Sequence, residues 1–334
     1  MITEEKTDTD SPAGISIIVA IYNMNYIVER LFKSIKKSDY KNVEVIIVDD
    51  FSTDNVKPLV DRYGFKYLRL DKQSGAAKAR NEGAKVAAND YFLFCDADIE
   101  LMPNTLSLMM DRFSKLKIHT IEGYEILNPT PDNYIGTFRV LSIQEMLYSQ
   151  GIATGEVNFW STTCGSITRE AFEASKGFDE SFKGADVEDI EICFRIPKKY
   201  TMYHDLEINF KHHYMNTNMI HRAYLKRAYQ VGRLNWPLGE HSFYSLVRII
   251  GYSISVLLFI STCMIIVDHI FIAISILFLL FKIFFHRKFY MNGYKAKGFL
   301  FFLYSIVVAN TIGMTSFIGF ATGRTFSLLG IIKK

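Results

Sequence analysis

The chain has 334 residues, 49% of them hydrophobic, and carries 38 Lys and Arg against 35 Asp and Glu, a formal net charge of +3. The charge is split: residues 211–334 hold 14 Lys and Arg against two acids, Glu240 and Asp268, which leaves the first 210 residues at net −9. This excludes one homogeneous domain, and the spacing of Cys95, Cys164, Cys193 and Cys263 excludes a disulfide scaffold or a cysteine metal site.

Met1–Asp10 is acidic and polar with no apolar core, so it reads as a tail (residues 1–13) rather than a signal peptide. Ile15–Ala20 is a short β-rich run that ends at Tyr22-Asn23. Tyr26 to Lys37 has helical spacing through Ile27, Leu31 and Ile35. Val43–Val48 is a second apolar strand, ending at Asp49-Asp50, and Phe65–Leu70 is a third. Gly75–Ala88 predicts a helix of small residues, and Tyr91–Cys95 a fourth strand. Buried strands alternating with helices predict an α/β domain with a mainly parallel sheet and right-handed crossovers. Such sheets bind ligands beyond the carboxyl ends of their strands, where Tyr22, Asp50, Asp96 and Asp98 all fall.

Asp96-Ala97-Asp98 closes the fourth strand. Carboxylates spaced i, i+2 on a strand point the same way and repel unless a cation or a ligand hydroxyl joins them. Oxygen ligands at an exposed strand end suit Mg²⁺ or Mn²⁺. Further on, Ala185-Asp-Val-Glu-Asp-Ile-Glu191 supplies four acids in six positions. Lys211-His-His-Tyr214 follows a strand expected over Glu207–Phe210.

Residues 216–243 form a basic, aromatic stretch with Arg222, Tyr224, Lys226, Arg227, Tyr229, Arg233 and Trp236. Next to apolar runs it suits an interfacial helix on anionic lipid, not nucleic acid. Residues 244–334 contain three such runs: Ile249–Val267, Ile270–Phe281 continuing to Phe285, and Gly298–Gly323. About 20 apolar residues span a bilayer as helix. Asp268-His269 is the expected tip of a hairpin between the first two. The third run crosses, re-enters or forms two half-spans. Arg248, His286-Arg287-Lys288, Lys295 and Lys297 place the segments around them, and with them the head, on the cytoplasmic side of an integral membrane protein.

Val19-Ala-Ile-Tyr-Asn23, Val48-Asp-Asp-Phe-Ser-Thr-Asp54, Gly75 with Ala79-Arg-Asn-Glu-Gly83, and Asp96-Ala-Asp98 come in an order that resembles the family 2 glycosyltransferases. Gly177-Phe-Asp-Glu180, Glu188-Asp-Ile-Glu191 and Arg195 continue the likeness, which covers residues 14–215. Lys176 departs from the pattern by standing where the family has a glycine. The resemblance implies a GT-A fold, a nucleotide-sugar donor with UDP favoured by family habit, Mn²⁺ or Mg²⁺, and inversion at the anomeric carbon.

It also implies roles by matched position. Tyr22 contacts the base, and Asp50 accepts the base imide N–H. Asp49 is structural. Arg80 faces the nucleotide, where a guanidinium pairs with phosphate. Asp96 binds ribose or a metal-bound water, and Asp98 ligates the cation. His213, marginally ahead of His212, completes the metal site. Asp189 is the base that takes the acceptor hydroxyl's proton, with Asp186 as competitor and Glu188 near the acceptor or donor sugar. Thr162–Ser166 and Arg169 are weaker candidates beside the donor sugar. Gln230, Arg233 and a displaced Trp236 partly echo a motif of processive synthases that borders the acceptor. The reading is transfer of a single sugar to a lipid-linked or membrane-surface glycan hydroxyl. Its alternatives are a processive polysaccharide synthase, a polyprenyl-phosphate sugar synthase and a catalytically silent membrane scaffold.

Overall fold

The computed structural model describes residues 13–127, 134–149, 154–182, 184, 187–213, 220–233 and 246–331. The expected tail up to Pro12, Asp186, Tyr214 and Trp236 lie outside them.

Strands β1 (Ile15–Ile21), β2 (Val43–Asp49), β3 (Lys66–Arg69) and β4 (Tyr91–Cys95) pair in parallel in the order β3-β2-β1-β4. Helices α1 (Glu29–Lys37), α2 (Lys57–Tyr63) and α3 (Ala76–Val86) are the crossovers. The strands are apolar on both faces because both are covered. One face packs Ile17, Val19, Ile47 and Leu93 with Leu31 and Phe32 of α1. The other packs Ile18, Ile46, Val48 and Phe94 with Ala77 and Ala79 of α3.

Beyond β4 the expected parallel order gives way to a mixed sheet. Strand β5 (Ile99–Leu101) and helix α4 (Thr105–Lys115) lead to β6 (Thr120–Ile126), and helix α5 (Tyr134–Ser149) and β7 (Gly155–Val157) to β8 (Cys164–Thr168). Helices α6 (Arg169–Ala174) and α7 (Glu188–Arg195) precede the long β9 (Met202–His212). The full order is β3-β2-β1-β4-β8-β6-β9-β5, with β7 on β9. β8 runs antiparallel to β4 and to β6, while β6 and β9 are parallel. Inserting β8 beside β4 brings the chain after residue 120 back over the carboxyl edge of the parallel half.

The C-terminal part is helical: α8 (Ile220–Arg233), α9 (Leu246–Met264), α10 (Ile270–Phe285) and α11 (Arg287–Leu328). α11 is two helices merged across Gly298, whose φ of 80° is left-handed. After that kink the third apolar run is one continuous helix, not two half-spans. α11 is long and apolar enough to cross a membrane, and two shorter apolar helices, Ile250–Met264 and Ile270–Phe285, precede it. Leu257, Leu277, Leu280, Phe284, Leu300 and Val307 all point outward. The basic segment before Gly298 is helix rather than loop. Its Phe289 and Tyr290 pack with Phe301 onto Ile135, Phe138 and Leu141 of α5, joining the head to the apolar helices.

Candidate active site

The parallel edge is held by two interlocked loops. Asn23, just past β1, and Phe51, just past β2, both take left-handed backbone, φ 54° and 65°, which non-glycine residues adopt at a cost. Asn23 Oδ1 accepts the Thr53 N–H at 2.7 Å, and the Asn23 N–H donates to Ser52 Oγ at 3.0 Å. This leaves two aromatic rings, Tyr22 (41% exposed) and Phe51 (46%), open at the strand ends.

Asp49 is fully buried and accepts from the Ser52 N–H (2.7 Å), Tyr67 Oη (2.6 Å) and Arg69 Nη1 (2.6 Å). Burial would raise its carboxyl, but these bonds outweigh it and hold it below the ordinary range. Asp50 accepts the N–H groups of Ser74 (2.6 Å) and Gly75 (2.8 Å). Its carboxylate therefore fixes the loop that opens α3, a task the sequence did not suggest.

Arg80 is 4% exposed, and its guanidinium is engaged by two carboxylates. Nη1 donates to Glu188 Oε1 at 2.6 Å and Nη2 to Asp96 Oδ1 at 3.0 Å. It is a cationic bridge from the end of β4 to the start of α7. Asn81, next along α3, donates to the Phe178 carbonyl (2.9 Å) and accepts the Phe178 N–H (2.9 Å). The turn before it puts Lys176 at φ 64° beside Gly177 at φ 67°, so the lysine takes the conformation a glycine adopts freely.

Asp96 and Asp98 sit in the turn between β4 and β5, and their partners diverge. Asp96 turns to Arg80, whereas Asp98 Oδ1 lies 3.2 Å from His212 Nε2. Geometry brings His212, not His213, to the Asp98 carboxylate. The backbone N–H of His213 donates to the Asp98 carbonyl at 2.8 Å, but its ring turns away. Arg30 Nη1 donates to His213 Nδ1 at 2.8 Å, and Nε2 faces Glu100 at 3.2 Å. Successive side chains at the end of β9 point to opposite faces, so only one of the pair can meet Asp98. Burial alone would lower His212, but the Asp98 hydrogen bond and charge raise it, and the same contact holds Asp98 down against its own burial.

Asp189 is the second residue of α7, and its Oδ1 accepts the Ile190 N–H at 2.8 Å. Burial, then the charge of Glu188, pushes its carboxyl up to about 6, with Arg227 and Arg80 opposing. A cavity of about 170 Å³ opens in front of it, lined by Asp96, Asp189, His212, Glu122, Arg139 and Arg227 among others. Asp98 and Glu188 flank it through their contacts to His212 and Arg80. Arg233, at the end of α8, sits against Gly323 of α11, away from this lining.

Glu122, Glu125 and Arg139, which line the cavity, carried no signal in the sequence. Glu122 and Glu125 of β6 are three apart and would face opposite ways on a regular strand. The register shift opposite Gly123 and Tyr124 comes from extra residues on β9, and both glutamates nonetheless border the cavity. Burial, with the charge of Asp189, pushes Glu122 up to about 8. Arg139 comes from α5 and helps to hold Asp98 low. Arg227 was visible only as one charge in a basic run.

Among the described residues no group of three His, Cys, Asp or Glu side chains is placed to hold a metal ion. Asp98 with His212 still fits a divalent cation as a two-ligand seat, with further ligands drawn from substrate oxygen.

Residues 16–173 match the family described as Glycosyl transferase family 2. Over 114 residues the chain is 31% identical to the poly-beta-1,6-N-acetyl-D-glucosamine synthase of Staphylococcus epidermidis, covering 33% of this chain and 28% of that one. Over 140 residues it is 30% identical to the UDP-Glc:alpha-D-GlcNAc-diphosphoundecaprenol beta-1,3-glucosyltransferase WfgD of Escherichia coli, covering 41% of this chain and 54% of that one. The matched stretch thus spans from about a quarter to about half of these relatives. Among solved structures, the mannosyltransferase PcManGT from Pyrobaculum calidifontis, in complex with GDP-Man and Mn²⁺, superposes with a TM-score of 0.56 at 15% identity, over 96% of this chain and 88% of that one. GalNAc-T7 with UDP, GalNAc and Mn²⁺ superposes with a TM-score of 0.51 at 15% identity, over 67% and 48%. At that identity the likeness is one of fold. Residues 16–173 are thus similar to glycosyl transferase family 2, and the head has a GT-A-like fold built on a mixed sheet.

Proposed function

We propose that the chain is a membrane-bound, inverting glycosyltransferase that moves one sugar from a nucleotide-sugar, UDP-linked by preference, to a hydroxyl of a lipid-linked or membrane-surface glycan. The observation that carries this is the shared cavity. Asp189 faces it with a carboxyl raised to about 6, and Asp96 and His212, the partner of Asp98, line the same cavity. A base poised near neutrality and a cation seat at one cavity suit a single displacement at an anomeric carbon.

Tyr22 and Phe51 offer ring faces to the base of the nucleotide, and Asp50 holds the adjoining loop. Asp96 meets ribose. A divalent cation on Asp98 and His212 would offset negative charge on the departing diphosphate. Asp189 takes the proton from the acceptor hydroxyl as its oxygen bonds to the anomeric carbon, and the bond to the diphosphate breaks. The nucleoside diphosphate leaves, and configuration inverts because no covalent intermediate forms. Glu188 and Arg80 hold Asp189 and Asp96 in register.

The apolar helices support an integral membrane protein, with the basic segment before Gly298 docked on the head and both on the cytoplasmic side. The names of two neighbours support a nucleotide-sugar with Mn²⁺, and that of one relative supports a diphospholipid acceptor. Similarity to a poly-N-acetylglucosamine synthase favours a second reading, repeated addition. The test is the full chain in nanodiscs with a panel of nucleotide-sugars and a lipid-linked acceptor. Acceptor-dependent release of nucleoside diphosphate, stimulated by Mn²⁺, with one inverted sugar per acceptor is expected. A ladder of products selects the second reading, and absence of transfer from every donor refutes both.

A further inference from the structure

A second cavity, of about 120 Å³, adjoins the catalytic one among the apolar helices. Met146, Tyr224 and Tyr252 border both, so the two chambers share a wall. Lys282 of α10 lines the second chamber and is only 4% exposed. Its ammonium donates to Ser255 Oγ (2.6 Å), Asn310 Oδ1 (2.9 Å) and the Ala309 carbonyl (3.2 Å).

All three acceptors are neutral. Among the described residues no carboxylate lies within ion-pair distance of Lys282. Glu145, which also borders the chamber, faces His286 at 3.7 Å. Tying α9, α10 and α11 together needs hydrogen-bond donors but not a charge, and an amide side chain would do it at a smaller desolvation cost. The positive charge is the part that helix packing does not explain. Ionisable groups kept among membrane helices mark ligand or ion sites.

We infer that this chamber receives the phosphate or diphosphate of a polyprenyl-type lipid acceptor, with Lys282 as its counter-ion. The inference rests on the transferase reading above and gives the acceptor its anchor. At roughly 30 Å³ per water the chamber has room for about four waters, the scale of one such headgroup. A phosphate there places its sugar across the Tyr224–Tyr252 wall, on the Asp189 side. Its hydrocarbon tail leaves between the apolar helices.

The test titrates undecaprenyl diphosphate into the full chain in neutral phosphatidylcholine nanodiscs, read as protection against thermal unfolding. Wild type should bind. Lys282→Gln, which keeps two N–H donors for the neutral acceptors, should bind at least tenfold more weakly while unfolding near the wild-type temperature without lipid. Lys282→Met should lose binding too. Equal affinity in Lys282→Gln overturns the assignment. So does equal competition by inorganic pyrophosphate, which would mark a free-anion site, or by phosphatidylglycerol, which would mark a general lipid surface. UDP affinity and transfer to a water-soluble glycan are measured on the same samples. If these persist while the lipid fails to bind, the chamber assignment falls and the transferase reading stands. If no nucleotide binds, the transferase reading falls, and the chamber assignment falls with it.

Discussion

Replacing Arg80 by methionine removes a guanidinium but keeps most of its apolar stem. The Glu188 carboxylate it contacts at 2.6 Å is itself only 3% exposed. Asp96, the other partner, is 32% exposed, so water screens much of its loss. The damage should therefore come mainly from Glu188, left charged in a buried place without its cation. Removing one member of such a pair costs about 3–5 kcal/mol, more than the pair itself is worth. At about 2–4 °C per kcal/mol for a domain of this size, the midpoint of thermal unfolding should fall by about 6–20 °C. Trp160, buried in the head against Phe94 and Phe178, is a fluorescence reporter on the same core. Arg80→Met combined with Glu188→Leu should recover most of the loss, because neither charge is then stranded. Arg80→Lys should recover little, since one ammonium cannot meet two carboxylates from opposite edges as a planar fork does. A single-mutant shift under about 2 °C, or a double mutant no better than the single, would refute the reasoning.

Asp189→Asn should leave UDP affinity intact and lower transfer by about 10²–10⁴, read as turnover against donor binding. In the wild type, transfer should rise with pH through about 6 as Asp189 ionises, and a rate flat from pH 5 to 7 would count against its being the base. His212→Ala and Asp98→Asn should each weaken Mn²⁺-dependent UDP binding in a calorimetric titration, while His213→Ala should not; the reverse ranking would move the cation seat. Glu122 is raised from 4.5 to about 8 by burial, so the folded state holds its proton more tightly than the unfolded one. Its stabilising contribution is complete below pH 4.5 and is lost as pH rises toward 8. The melting temperature of Glu122→Gln relative to wild type should therefore climb over that range, and a constant difference would contradict it. Asn292→Cys, exposed on the basic side of α11, should escape an impermeant thiol reagent applied outside intact cells.

The parallel half of the sheet was legible because its strands are continuous apolar runs and its polar residues fall at their ends. Tyr22, Asp50 and Asp96 needed only period and position. The mixed half was not, since β5 and β7 are three residues each and β8 is held in place by pairings far apart in sequence. The choice between His212 and His213 turned on the phase of β9, which neither residue type reveals. Glu122 and Glu125 share a cavity although their spacing on β6 would set them on opposite faces. Arg80 was identified as a site residue, but the carboxylate it pairs with most closely lies 108 positions away. The third apolar run was visible, whereas its kink at Gly298 and the docking of the preceding basic helix on α5 are tertiary facts.

The proposed base, Asp189, is backed by the helical tail. Val187, immediately before α7, and Phe182 pack on Ala228 and Val231 of α8. α8 in turn lies so close to α11 that a methyl group at Gly319 would stand 2.5 Å from the Leu225 carbonyl oxygen. The groups proposed to face the donor, from Tyr22 to His212, by contrast all precede α8. The consequence is a form of licensing. Under the proposed function, a chain whose last helix has not yet seated would hold a nucleotide-sugar with its proton acceptor still unaligned, sparing the activated sugar from water until the surface that bears the acceptor is reached.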